Sequence, residues 1–251
     1  MPPIASDALV LRSYKLGETS KIVVLLTRER GKLRAVARGA RGGKPRYQSA
    51  LEPLSEVRAS LHGRQGTELY RLGACELLRS AFAASSRGLA NALAFSYFAE
   101  LLDAFCAEGQ VEDDVYRLAI AVTRAAEDGV PSDVLSRYVE AWLLKLHGLY
   151  PQTNRCAGCG NPLPAGALAY QEAAHGFVCA DCSPASGPFV PAASRALVDR
   201  LFKTAPADVV AAPASELAPL EAFHHMLISR HLERDLRSFR VLATVAREDL
   251  S

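Results

Sequence analysis

The amino-acid sequence predicts a multidomain α+β protein, with a five-stranded β-barrel at its N-terminus, an α-helical body and a small four-cysteine module inserted between helices. Three observations predict it. Short apolar runs separated by glycine and polar turns fill the first eighty residues, the apolar period then lengthens to three and four, and four of the six cysteines form two matched pairs. The expected boundaries are 1–80 for the barrel, 81–152 with 188–251 for the helical part, and 153–187 for the cysteine module. A chain of 251 residues can bury a core in each of the two larger parts.

The strands follow in order. "DALVLRSY" leads through "KLGET" to "KIVVLLT", and the tight "RERG" leads to "KLRAVARG". "LSEVRASLHG" and "ELYRLGACELL" come after a basic loop, with "RQGT" between them. Five such segments at short spacing, separated by glycine and polar turns, argue for a small sandwich or barrel, and the expectation adopted is an OB-like barrel. In "KLRAVAR" the alternation places Lys32, Arg34, Val36 and Arg38 on one face, and Leu33, Ala35 and Ala37 on the other.

After Arg79 the pattern is helical. Leu89, Leu93, Phe98, Leu101, Leu102 and Phe105 recur at helical steps, and Val111, Val115, Leu118, Val122 and Ala126 repeat the pattern. A third helix is expected to open with Ser132 as its N-cap, just after Pro131, and to stop at Gly148. "AASRALVDRLFKT" and "SELAPLEAFHHMLISRHLERDLR" supply two more helices, joined by an Ala/Pro-rich connection.

Charge is divided unevenly along this layout. Residues 1–80 hold fifteen Lys/Arg against seven Asp/Glu, a local balance of +8, whereas the remainder holds fourteen against twenty, or −6. "GKLRAVARGARGGKPR" gathers Lys32, Arg34, Arg38, Arg41, Lys44 and Arg46 into sixteen positions without an acid. Clustering of this kind marks a polyanion site, and these six residues are the expected nucleic-acid contacts. The only aromatics of the first eighty residues are Tyr14, Tyr47 and Tyr70, so phosphate neutralisation rather than base stacking should dominate. Binding is then weakly selective for sequence and takes both single and double strands. Arg230, Arg234 and Arg237, at steps of four and three, form an additional candidate face on the last expected helix, interrupted by Glu233 and Asp235. His224 and His225 read as ordinary helix residues.

The cysteines carry the most specific motif. "CAGC" supplies Cys156 and Cys159, "CADC" supplies Cys179 and Cys182, and nineteen residues separate the pairs. That spacing is the zinc pattern, since two intervening residues let both thiolates of a knuckle reach one tetrahedral ion about 2.3 Å away. Four thiolates close the site, so a structural Zn2+ is expected, cross-linking a segment from about Asn154 to Ser186 that has too little core of its own. His175 lies between the pairs and reads as a surface residue. Cys75 and Cys106 sit in apolar surroundings and read as small buried hydrophobes.

Several function classes are excluded or disfavoured. No run of eighteen apolar residues is present. "MPPIASDALVLR" has no basic segment leading an apolar one, so a cytoplasmic location is expected. Neither a Walker A sequence nor a strand–GxGxxG–helix unit occurs, and no nucleophile elbow or carboxylate pair marks a catalytic centre. An enzyme is not expected.

The stretch "LVLRSYKLGETSKIVVLLTRERGKLRAVARGARGGKPR", followed by "EAWLLKLHGLYPQTNRCAGCG", resembles the RecO family of bacterial DNA repair proteins, and the order of parts is similar to that family's throughout the chain. The resemblance implies a recombination mediator that binds single- and double-stranded DNA and anneals complementary strands. It also implies action with RecR to help load RecA onto DNA coated with single-stranded DNA-binding protein (SSB). The SSB C-terminal tail would dock on the helical body, and the protein would work at the nucleoid. The competing expectation is a zinc-ribbon adaptor that binds structured RNA or an acidic protein partner.

Overall fold

Alternating apolar residues organise the N-terminal region into five strands: β1 (Ile4–Leu16), β2 (Ser20–Thr27), β3 (Gly31–Ala37), β4 (Glu56–His62) and β5 (Tyr70–Arg79). The computed structural model describes residues 3–41, 47, 50–64, 66–182 and 187–248. The strands close into a barrel in the order β1-β2-β3-β5-β4, with β3 and β5 parallel and the other neighbours antiparallel. Its interior is built from inward-facing small and branched residues such as Val10, Val23, Leu25, Ala35, Val57 and Leu61. Burying each of the larger ones contributes roughly 1.5–3 kcal/mol. Along β3 the burial alternates as the sequence predicts, with Leu33, Ala35 and Ala37 inside and Arg34 exposed.

One register shift shapes the outer surface. Val10 lies opposite Leu25, yet Arg12 lies opposite Val24, so Leu11 is an extra residue in β1. Without that bulge Arg12 would fall opposite Val23 and point into the apolar core. With it, Arg12, Tyr14 and Leu16 face outward.

Four helices share a unit with the barrel, which comprises Met1–Gly129 and Leu236–Ser251: α1 (Phe82–Ser85), α2 (Leu89–Phe105), α3 (Asp113–Glu127) and, from the end of the chain, α7 (Arg237–Glu248). Asp113 and Asp114 occupy the first turn of α3, where acids suit the helix dipole. Arg124 of α3 grips Glu56 of β4 with two bonds, of 2.9 and 2.7 Å. The α2–α3 linker runs along β3, where Gly109 N–H donates to the Lys32 carbonyl at 2.8 Å. Gly31 has φ +65°, and a Cβ there would overlap the Gln110 carbonyl oxygen, so glycine is required by both backbone and contact. Tyr97 of α2 packs on Phe239 of α7 with ring centroids 5.8 Å apart. Glu100 accepts from the Arg237 and Ser238 N–H groups at 3.1 and 2.8 Å, which satisfies the first turn of α7.

The second unit, Val130–Asp235, contains α4 (Ser132–Leu146), β6 (Leu168–Gln171), β7 (Gly176–Val178), β8 (Phe189–Val190), α5 (Ala192–Leu201) and α6 (Ala214–Leu232). Ser132 is the first helical residue of α4 rather than its cap; Pro131 takes the cap position and no side chain closes the turn. The three short strands pair in the order β7-β6-β8. Tyr170 of β6 and Phe177 of β7 pack on Phe223 of α6, with centroids 5.4 and 5.2 Å from it. The cysteine module therefore borrows its apolar contacts from a helix outside itself. No helix among the described residues is long and apolar enough to cross a membrane.

Candidate metal centre and nucleic-acid surface

The two CxxC pairs converge. The Sγ atoms of Cys156, Cys159, Cys179 and Cys182 all lie within 4.8 Å of one another. Cys179 directly follows β7, and Ala157 N–H donates to the Phe177 carbonyl at 2.8 Å, which ties the first knuckle to the hairpin carrying the second. Gly158 provides clearance, since a Cβ there would meet Cys182 Sγ at 3.2 Å. Cys159 Sγ and Cys179 Sγ are 3.7 Å apart, near the edge of about 3.8 Å expected for a tetrahedron with 2.3 Å bonds. All four cysteines are free. Backbone N–H groups, first that of Cys179 and then that of Cys159, lower the Cys156 thiol to about 6. Cys182 is pushed up to about 12, chiefly by the neighbouring Cys179 side chain. So dense a set of thiols resists full ionisation by itself, and a divalent cation at its centre relieves that repulsion. The donor set fits a structural metal. His175 lies apart, exposed in the β6–β7 turn. Burial raises Cys75 to about 11 and Cys106 to about 12, which leaves both inert at neutral pH.

The basic stretch divides in the structure. Lys32 departs from the expectation of a solvent-facing contact: its Nζ bonds the Asp103 carboxylate at 3.1 Å, also takes the Asp103 carbonyl, and its side chain is only 11% exposed. The C-terminal end of α2, which carries Asp103, covers that part of the sheet. Arg12 shares the same carboxylate at 3.1 Å. Arg34 is exposed and paired with Glu108. Arg38 and Arg41 are exposed, and Arg41 donates to the Gly17 carbonyl at 2.9 Å, holding the β1–β2 turn. Lys44 and Arg46 lie outside the described residues.

Arg38 instead lines a cleft of about 220 Å³ with Tyr47, His62, Arg71, Leu72 and Gly73. Parallel pairing of β3 with β5 sets Val36 beside Arg71, and antiparallel pairing of β4 with β5 sets His62 beside Arg71. Gly73 leaves room for the histidine, since a Cβ would come within 2.6 Å of His62 Nε2. The Tyr47 hydroxyl donates towards the Leu72 and Gly73 carbonyls, each at 3.1 Å, and fixes the floor. Among the described residues this lining holds two guanidiniums and an imidazole and no carboxylate. Arg71 and His62 carry no mark in the sequence, because only barrel closure brings them to Arg38.

The C-terminal arginines do not form the single face expected of them. The helix α6 stops at Leu232, Glu233 caps it in the left-handed conformation with φ +54°, and α7 starts at Arg237. Arg230 falls in α6, paired with Glu172 and 3.4 Å from the Tyr170 hydroxyl, Arg234 lies between the helices, and Arg237 begins the next one. His224 is likewise no ordinary helix residue. It is fully buried, with Nδ1 3.0 Å from Glu140 and Nε2 3.3 Å from the Tyr150 hydroxyl. Arg137, also buried, bonds Glu140 at 2.7 Å and Glu221 at 2.6 Å.

Comparison with known proteins agrees with both halves of the chain. The family model for the N-terminal domain of recombination protein O matches residues 1–81, and that for its C-terminal domain matches residues 87–240. The chain is 32% identical over 239 residues to the DNA repair protein RecO of Koribacter versatilis (strain Ellin345), covering 94% of this chain and 97% of that protein. It is 32% identical over 251 residues to the RecO of Anaeromyxobacter sp. (strain K), covering 96% of each. With the RecO of Desulforudis audaxviator (strain MP104C) the identity is 35% over 251 residues, covering 96% of this chain and 97% of the relative.

Proposed function

The chain belongs to the RecO family of DNA repair proteins, and from that premise we propose that it is a recombination mediator. It binds single- and double-stranded DNA, anneals complementary strands and, with RecR, helps load RecA onto SSB-coated DNA in the bacterial cytoplasm. The observation that carries this reading is the cleft of Arg38, His62 and Arg71, cationic and free of carboxylates among the described residues. Annealing is slowed by repulsion between two phosphate backbones, which fixed cations screen without occupying the base edges needed for pairing. Arg38 and Arg71 supply that screening, with Arg41 beside the β1–β2 turn and Arg34 sharing its charge with Glu108. Lys32 acts from beneath, fastening β3 to α2.

The role is one of binding, with no bond made or broken. A zinc ion held by Cys156, Cys159, Cys179 and Cys182 would supply a structural cross-link, because four thiolates leave no open coordination position. Those residues hold the two knuckles against the β6–β7 hairpin.

The test is annealing of SSB-coated complementary strands, followed with and without the protein. The double variant Arg38→Glu/Arg71→Glu should slow protein-promoted annealing by about tenfold or more, as expected for losing two charge-assisted contacts, with an unchanged circular dichroism spectrum. Full-rate annealing by the folded variant would defeat the assignment.

A further inference from the structure

The barrel also presents a position suited to a nucleobase. Of its three tyrosines, Tyr47 and Tyr70 are buried in the core, whereas Tyr14 is 39% exposed on the outside of β1. The register places it at the end of one cross-strand row. Tyr14 lies opposite Ile22, Ile22 opposite Val36, Val36 beside Arg71, and Arg71 opposite His62. Strands are spaced about 4.8 Å apart, so Tyr14 and Arg71 are separated by roughly 14 Å along that row. Between them Ile22 and Val36 are half-buried and offer a smooth apolar floor. Leu16, also 39% exposed, flanks the ring two residues on, and the Arg12 guanidinium lies 5.8 Å from its centroid.

An exposed aromatic ring on an apolar floor, leading to a cationic cleft lined without a carboxylate among the described residues, complements a nucleotide, with the base at one end and phosphates at the other. We propose that this row is a single-strand DNA subsite in which Tyr14 stacks on one unpaired base while Arg71 and Arg38 hold the adjoining backbone. The inference rests on the DNA-binding reading above and adds a strand preference to it. In a duplex each base face is covered by its neighbours, so the ring contributes only to single strands. Stacking uses the face of the base rather than its edges, so the preference is indifferent to sequence and leaves the pairing edge free for a complementary strand.

The experiment measures binding of the full chain to an oligonucleotide by fluorescence anisotropy, as single strand, as duplex, and as a single strand with abasic positions. Tyr14→Ala should weaken single-strand binding by about five- to a hundredfold, leave duplex affinity unchanged and keep the same salt slope. Tyr14→Phe should restore the affinity, and Tyr14→Trp should bind with quenched indole fluorescence. The abasic strand should cost the wild type affinity and leave Tyr14→Ala indifferent. If Tyr14→Ala binds single strands as the wild type does, or loses both strand forms equally, the stacking subsite is overturned while DNA binding stands. A wild-type protein that binds neither strand form overturns both.

Discussion

Glu140 is the residue on which the second unit's polar interior turns. With no exposed surface, it accepts from Arg137 at 2.7 Å and lies 3.0 Å from His224 Nδ1. Removing its charge takes a fully buried carboxylate from the buried Arg137 guanidinium, which also pairs with the partly exposed Glu221, so Glu140→Gln should cost about 3 kcal/mol in chemical denaturation. Burial lowers the His224 pKa, outweighing the upward pull of Glu140. The imidazole is therefore neutral in the folded protein, and the unfolded chain takes up a proton below about pH 6.5 that the folded chain refuses. Stability from this group is present above that pH and is lost as the pH falls towards the lower folded value. A thermal melt series should show the melting temperature declining on acidification below about 6.5, with a shallower decline in His224→Gln; equal declines would remove His224 as the cause. The His224 contacts were not legible in the sequence. His224, Tyr150 and Glu140 sit on different elements, and no local spacing records a contact made only by packing α4 against α6. The four cysteines were legible because the thiolates of each knuckle are chain neighbours, so spacing alone nearly fixes their geometry.

Elements divide in the same way. All five strands were legible as alternating segments, since each needs only a period of two. Which strands become neighbours was not, because the β3–β5 pairing that builds the cationic cleft joins segments separated by β4 and its flanking loops. The extra residue in β1 was hidden too, as Leu11 looks like one more core residue until its register is known. At the C-terminus the sequence reads as one helix through Arg237, yet Glu233 adopts a left-handed cap and Glu100, distant in sequence, receives the new N-terminus. The cysteine module is the element whose stability is most exposed to test. Its hairpin leans on Phe223, but its knuckles are otherwise small loops, and structural zinc in such modules contributes on the order of 10 kcal/mol at neutral pH. Cys156→Ala/Cys159→Ala should lose bound zinc, measured by atomic absorption, and its β6–β7 amides should exchange much faster while those of the barrel do not. Equal zinc content in the variant and the wild type would refute the metal assignment. Zinc loss without faster exchange would show that Phe223 suffices to hold the hairpin.

For the whole molecule the relevant quantity is how the positive excess of the first eighty residues is distributed, rather than the net charge of +2. Helix α2 and its following linker return Asp103 and Glu108 to the barrel, where they meet Arg12, Lys32 and Arg34. That part of the sheet is close to neutral, while Arg38 and Arg71 face a cleft lined without a carboxylate among the described residues. A sequence count treats all these cations alike; counterion release does not, because an ion pair already made inside the protein displaces no cations from DNA. Binding to single strands should accordingly show a slope of log K against log salt of about −3 to −4, for contacts with about four to six phosphates. Substituting one residue at a time separates the two classes of cation. Arg38→Gln should flatten the slope by about 0.7, the share of one phosphate on a single strand. Lys32→Gln should leave the slope intact and instead lower the melting temperature, because it strips a nearly buried partner from Asp103. A Lys32 variant that flattens the slope as much as the Arg38 variant would mean that Asp103 releases its lysine to DNA, and that the positive surface is larger than the barrel and its covering helix present.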